Sequence, residues 1–277
     1  MSYYEKVFSA SSKLPITYHK DTNTINRYVG FHLHWHEHIE ILYFSKGTGI
    51  VYVNNVPIQA SEGEIVVISS NMLHAMPSKL PNCTYHCIII NKVFIDNILG
   101  DKDIFFKEHI TDIRVINLYE AIIKEMAERG ELFQSQAAAY CSLLLGELAR
   151  NFAYSERNTV SMTKSPKQKL VKKAMAFIMR NYKGSLSIEA IAEYIGCSKY
   201  YLCHIFKEVT GQTMIDYINI LRCSQVKRFI LDENYSITEA AYSSGFNNLS
   251  YFTKIYKKYM GILPSQEKEN MMIGSTR

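Results

Sequence analysis

The chain has 277 residues, 47% of them hydrophobic, which is enough apolar material for two ordinary domain cores. Its net charge of +5 hides an asymmetry: residues 1–160 carry 14 Lys+Arg against 17 Asp+Glu, while residues 161–277 carry 17 against 9. No apolar stretch approaches the roughly 18 residues that span a bilayer, MSYYEKVFSASSK lacks a signal-peptide core, and the six cysteines show no C-x-x-C pair, so a cytoplasmic protein with reduced thiols is expected.

Residues 1 to about 25 show no clear element. From Tyr28 to Ile90, short β runs alternate with turn signals. Strands are read at HLHWH (32–36), EILYFS (40–45), IVYVN (50–54), PIQA (57–60), EIVVIS (64–69) and TYHCIII (84–90). Lys46-Gly47-Thr48-Gly49, Asn54-Asn55 and Ser61-Glu62-Gly63 separate them. Many short strands at this spacing argue for a small sandwich or barrel.

Within that region lies His32-Leu-His34-Trp-His36-Glu-His38-Ile-Glu40. On an unbroken strand, His34, His36, His38 and Glu40 share one face. The spacing His34-x-His36-x₃-Glu40-x₆-Gly47 resembles the first motif of the cupin barrels. Gly63 and His74 fall where the second motif places its glycine and histidine, but Ser70 and Asn71 stand near the place of its proline. In metal-binding cupins such a set holds one metal, and imidazoles with a carboxylate suit Fe(II), Mn(II), Ni(II) or Zn(II). A metal at His34, His36, Glu40 and His74 is the lesser reading and no cofactor is expected; barrel structure or contact with a small polar ligand is preferred. Trp35, Tyr43 and Tyr52 offer rings on which a sugar can stack, or they are sheet and core.

The β pattern stops at Asn91. Helical spacing predicts a helix over 113–129, carrying Val115, Leu118, Tyr119, Ile122, Ile123 and Met126, and another over 132–152 with Leu144, Leu148 and Phe152 on one stripe. The pair can pack on the barrel and also serve a dimer contact. YSERNTVSMTKSP (154–166) is polar, ends in proline and reads as a linker. Helix 167–182 follows, with Val171, Ala174, Met175 and Ile178 facing inward. A longer helix over 214–231 joins two similar segments.

Those segments are LSIEAIAEYIGCSKYYLCHIFKEVTG (186–211) and YSITEAAYSSGFNNLSYFTKIYKKYMG (235–261). Each reads as a short helix, a glycine and a second helix, a helix-turn-helix written twice. Ala192 and Gly196 match Ala241 and Gly245. At about 100° per residue, Leu202, Ile205, Phe206 and Val209 form one stripe, and Phe252, Ile255, Tyr256 and Tyr259 repeat it. The opposite faces carry Tyr200, His204 and Lys207, and Ser250, Lys254 and Lys257.

The region from about Leu170 to Ser265 resembles the DNA-binding domain of the AraC/XylS family of bacterial transcription regulators. Ala192, Gly196, Ser198, Leu202, Phe206, Gly211, Tyr217, Arg222, Gly245, Phe246, Ser250, Tyr251, Phe252, Lys257, Gly261 and Pro264 carry the match. The family usually continues its Gly-x-x-Pro with Tyr-Arg; here Ser265, Gln266, Glu267 and Lys268 follow, a departure that bears on the closing backbone contact. The resemblance implies an α+β two-domain protein: an N-terminal cupin-like β-barrel with a helical pair (1–153), a linker (154–166) and an all-α double helix-turn-helix domain (167–277). It implies double-stranded DNA and a small-molecule effector as partners, a homodimer, RNA polymerase as a further partner, and no membrane. By that alignment Tyr200, Cys203, His204, Leu249, Ser250, Thr253 and Lys254 stand at base-contact positions. Lys207, Lys254, Lys257 and Lys258 are candidates for phosphates. Sensor domains of the family carry the same His-x-His-x₃-Glu outline, generally without a metal. The reading from a different class is a metal-dependent cupin enzyme, or a metal sensor, with a DNA-binding tether. An RNA-stacking sheet signature is missing.

Overall fold

A computed structural model of the chain describes residues 14–23, 31–76, 83–100, 104–154, 165–232 and 235–267. The chain divides into two compact units, residues 1–164 and 165–277. Most of the expected linker, 155–164, lies outside the described residues. Tyr154, its expected first residue, belongs to the first unit: its N–H donates to Phe105 O at 2.8 Å and its hydroxyl to Glu108 at 2.8 Å.

The first unit holds β1 (Ile16–Asn23), β2 (Phe31–His34), β3 (Ile39–Lys46), β4 (Thr48–Val53), β5 (Val56–Ser61), β6 (Ile65–Ile68), β7 (His74–Met76), β8 (Cys83–Ile90) and β9 (His109–Ile110). They form two antiparallel sheets, ordered β1-β8-β3-β6-β9 and β2-β7-β4-β5. The hairpin β4–β5 turns on Asn54 and Asn55, both at positive φ (48° and 67°), as a tight hairpin whose twist suits the strands requires. Three helices follow or interrupt: α1 (Lys92–Leu99), α2 (Ile113–Glu128) and α3 (Phe133–Asn151).

Residue parity along the central strands divides the interior into two layers. Ile39 and Ile41 of β3, Ile65 and Val67 of β6, and Ile88 and Ile90 of β8 point to one side and meet Val115, Tyr119 and Ile122 of α2 and Leu144, Leu145 and Leu148 of α3. Leu42 and Phe44, Val66 and Ile68, and Cys87 and Ile89 point to the other side and meet Val51 and Val53 of β4, Ala60 of β5 and Met76 of β7. Burial on both faces explains the nearly unbroken apolar runs of β3, β6 and β8. Each fully buried Leu or Ile contributes about 1.5–3 kcal/mol relative to exposure. Tyr119 crosses from the helical layer, its hydroxyl 2.8 Å from Ile41 O and 2.9 Å from His86 O.

The unbroken strand on which His34, His36, His38 and Glu40 would share one face does not form. β2 ends at His34, β3 begins at Ile39, and the two lie in different sheets. Residues 35–38 make the crossing, with His36 O accepting from Asn71 N at 2.7 Å. Elements that were not expected are β1, β7, β9 and α1.

The second unit is helical: α4 (Pro166–Asn181), α5 (Ile188–Ile195), α6 (Lys199–Thr210), α7 (Met214–Asp232), α8 (Ile237–Ser243) and α9 (Leu249–Met260). Val171, Ala174, Met175 and Ile178 are the buried residues of α4, as helical spacing requires. Its N-terminus is set by Pro166, whose missing N–H costs nothing in a first turn. Ser187, Ser198, Ser236 and Asn248 cap the four short helices by accepting backbone N–H bonds, and Ser236 forms a reciprocal box with Glu239. Buried residues run all round α7 (Met214, Tyr217, Ile218, Leu221, Cys223, Val226, Ile230) because it packs against α6, α8 and α9.

Candidate functional site

The two helix-turn-helix segments differ by one inserted residue. Ser187 and Ser236, the caps of the first helices, are 49 apart in number, whereas Ser198 and Asn248, the caps of the second, are 50 apart. The insertion lies in the turn: Gly196-Cys197-Ser198 in one copy, Gly245-Phe246-Asn247-Asn248 in the other. Despite it, the buried stripes correspond. Leu202, Ile205 and Phe206 are buried on α6, and Phe252, Ile255 and Tyr256 on α9.

That register fixes what faces outward. Tyr200 is 85% exposed, and His204 and Lys207 are exposed beside it. On α9, Ser250, Thr253, Lys254 and Lys257 are exposed. Cys203 and Leu249 are half-buried at the edges of the two faces. Two of these side chains have local partners: His204 Nε2 lies 3.7 Å from Glu208, and Thr253 Oγ1 donates to Leu249 O at 2.9 Å. Lys258 is drawn away from a phosphate role, because its ammonium meets Asp216 at 3.4 Å and the Tyr259 hydroxyl at 2.8 Å. Lys167, one of four lysines crowding the start of α4, is paired to Glu208 at 2.7 Å.

Side-chain ties hold α9 to the connector. Asn219 donates to the Tyr251 hydroxyl at 3.0 Å, and Asp216 accepts from Thr213 and Tyr259. Arg222 of α7 donates to Tyr182 O at 2.9 Å and Gly184 O at 3.0 Å, pinning the connector to the end of α4. Sequence reasoning matched Arg222 to a pattern without seeing its task. It named Glu267 only as part of the departure after Pro264: this buried carboxylate accepts from the Tyr256 hydroxyl at 3.2 Å and faces Lys227 at 3.3 Å. After Pro264 the chain is thus tied to α9 and α7 through the Glu267 carboxylate.

In the first unit, His34, His36, Glu40 and His74 converge between the two sheets, each offering one ligand atom within 4.8 Å of the others. His34 and His74 are cross-strand partners on β2 and β7, with ring centroids 4.1 Å apart. Glu40 comes from β3 in the other sheet, and His36 from the crossing segment. The Glu40 Oε2 lies 3.1 Å from His36 Nε2 and 3.3 Å from His74 Nε2. Burial alone would raise the Glu40 carboxyl, but the His36 and His74 imidazoles outweigh it and hold the group well below the usual carboxylate range. Burial, reinforced by the neighbouring His74, pushes His34 well below the usual imidazole value.

Several expected neighbours lie elsewhere. His38 is not among the converging ligand atoms: its ring lies beside His36, with centroids 5.6 Å apart, and its Nδ1 accepts from Lys92 N at 3.1 Å at the start of α1. Tyr43 lies on the helical side of its sheet and donates to Glu120 at 2.7 Å. Tyr52 alternates with the inward-facing Val51 and Val53 and so faces away from the interior. Of the three rings considered for stacking, Trp35 alone sits next to the group in sequence, half-buried on the crossing segment.

Residues 25–152 match the AraC-like ligand binding domain, and residues 191–270 match the helix-turn-helix domain family. The chain belongs to the AraC family. Among its AraC-family relatives, the HTH-type transcriptional regulator YdeC of Bacillus subtilis is 23% identical over 93% of this chain and 92% of its own. The melibiose operon regulatory protein of Escherichia coli is 24% identical over 85% of this chain and 83% of its own. A crystal structure of ToxT from Vibrio cholerae shares the fold, with a TM-score of 0.56 over 90% of this chain and 96% of that one at 15% identity. This AraC-family chain is a ligand-responsive, DNA-binding transcription regulator, and the relatives that span it are regulators rather than enzymes. Among the described residues no helix is long and apolar enough to cross a membrane.

Proposed function

We propose that the chain reads a specific duplex sequence with the outward faces of α6 and α9, and that a small polar effector bound in the first unit governs the response. The observation that carries the DNA half is the shared register: two capped helices bury equivalent stripes and expose Tyr200, His204 and Lys207 on one, and Ser250, Thr253, Lys254 and Lys257 on the other. The helices enter successive major-groove segments on one face of the duplex, about 34 Å apart. Lys207, Lys254 and Lys257 neutralise phosphates, while His204 and Lys254 reach base edges. Tyr200 packs on a thymine methyl or bonds a phosphate, Cys203 and Leu249 flank the contacts, and neither face carries an arginine for bidentate guanine readout.

The effector half rests on chemistry and kinship. Imidazoles, a carboxylate and an indole at His34, Trp35, His36, Glu40 and His74 suit a hydroxyl-rich molecule such as a sugar, and one relative is the regulator of a melibiose operon. The regulator acts as a homodimer in the cytoplasm, with RNA polymerase as a further partner. The exposed Leu143 on α3, an apolar residue facing away from the core, supports the dimer.

The test is a gel-shift titration with a duplex selected from a random pool. Each base contact accounts for about 1–3 kcal/mol, so the paired change His204→Ala with Lys254→Ala lowers specific affinity about a hundredfold or more while circular dichroism stays unchanged. Unaltered affinity would remove these faces from the DNA interface.

A further inference from the structure

We infer that His34, His36, Glu40 and His74 hold one first-row divalent transition-metal ion, making the sensor unit of this regulator a metalloprotein. The inference rests on the effector half of the reading above and deepens it; the DNA half stands apart from it.

The first support is spacing. The Glu40 oxygen lies 3.1 Å from one imidazole nitrogen and 3.3 Å from another. Two donors each about 2.1 Å from a metal stand roughly 3.0–3.4 Å apart at right or tetrahedral angles. All four ligand atoms lie within 4.8 Å of one another, so modest inward movement completes the shell.

The second support is ring orientation. Nδ1 of His34 lies 2.9 Å from His32 O, Nδ1 of His36 lies 3.1 Å from His38 O, and Nδ1 of His74 lies 2.8 Å from Met72 O. A carbonyl oxygen only accepts, so each Nδ1 carries the proton and donates it. That leaves Nε2 as the nitrogen for a metal, and at His36 and His74 the ion would take the place of the Nε2–H bond to Glu40 Oε2. Backbone carbonyls fixing the far nitrogen are the outer arrangement typical of metal-bound histidines. Cys87 Sγ donates to the other Glu40 oxygen at 3.4 Å, so Oε2 is the oxygen that faces the imidazoles.

The third support is size. His34 and His36 are 6% exposed, Glu40 3% and His74 0%. Their tips are closed off from solvent, and a bare ion needs only the space between them. Three imidazoles and one carboxylate, with no thiolate, suit Zn(II), Fe(II), Mn(II), Co(II) or Ni(II) rather than Cu(I) or Ca(II). Because the ligands come from β2, the crossing segment, β3 and β7, the ion clamps the two sheets together, and its loss loosens that joint.

The experiment loads the full chain anaerobically with each of these five metals, dialyses it, and measures metal by mass spectrometry. Wild type and the surface control His109→Gln retain about one ion per chain, and the double variant His36→Gln with His74→Gln retains under about a tenth of one. X-ray absorption on loaded wild type reads the site without any variant and shows nitrogen and oxygen neighbours at about 2.0–2.2 Å with imidazole outer-shell scattering. No retained ion in wild type, equal retention by a folded double variant, or a shell without imidazole overturns the inference. Operator binding is measured on the same samples. Intact operator binding without any retained ion counts against the metal alone, and one ion per chain without operator binding counts against the DNA reading alone.

Discussion

Lys172 sits half-buried on α4, and burial pushes its ammonium down to about 8 from an ordinary value of 10.5. Between those two pH values the unfolded chain binds more protons than the folded one, so stability rises with pH across that window; below about 8 both states are charged and the cost of burying the ion stays constant. Lys172→Met therefore stabilises the helical unit at pH 7 by on the order of 1 kcal/mol, after allowance for partial exposure, and flattens the rise between pH 8 and 10.5. Urea titrations followed by far-UV circular dichroism check both effects; a destabilised variant contradicts them. Single residues also mark where sequence reading stopped. His74 was found through a motif, since one histidine in a three-residue strand carries no periodic signal. His38 was misplaced because parity predicts a shared face only while a strand runs on, and this one breaks after His34.

The two turn glycines make an element-scale comparison. Both Gly196 and Gly245 have positive φ, 81° and 90°, where a Cβ costs about 1–2 kcal/mol. At Gly196 an added Cβ meets nothing within 4 Å; at Gly245 it collides with Tyr182 O and comes within 3.0 Å of Lys183 O and Arg222 Nε. Gly196→Ala should cost about 1–2 kcal/mol, and Gly245→Ala at least ~3 kcal/mol, because the second must also displace backbone that anchors the connector. Comparing their urea midpoints decides it, and equal losses would mean that the close approach to α4 is not tight. Both glycines were legible in sequence, along with the capped helices and stripes, because helical spacing repeats over many residues. β1 was not: ITYHKDTN has little apolar alternation, and its strand state comes from pairing with β8. β7 and β9, at three and two residues, are too short to show any period.

At the scale of the whole molecule, the charge asymmetry matches the division of labour. The basic part carries the two helix-turn-helix segments, and the mildly acidic part carries two sheets, a helical cover and the buried histidine-carboxylate group. The sequence contains one tryptophan, Trp35, and it lies on the segment crossing between the sheets. Its fluorescence therefore follows the sensor unit while far-UV circular dichroism is weighted to the helical one. If the buried group clamps the sheets, metal chelation shifts the fluorescence-detected melting point downward and leaves the helical transition in place. The DNA claim depends on a rigid connector: α7 is packed on several sides and tied by Arg222, Asn219 and Asp216, which fixes α6 and α9 relative to one another. Hydroxyl-radical footprinting of the full chain on its selected duplex tests that geometry most directly. Each bound chain should protect two patches on one face of the helix, about 10 base pairs apart, with the Lys254→Ala variant weakening one of them. A single protected patch per chain, or two on opposite faces of the duplex, would contradict it.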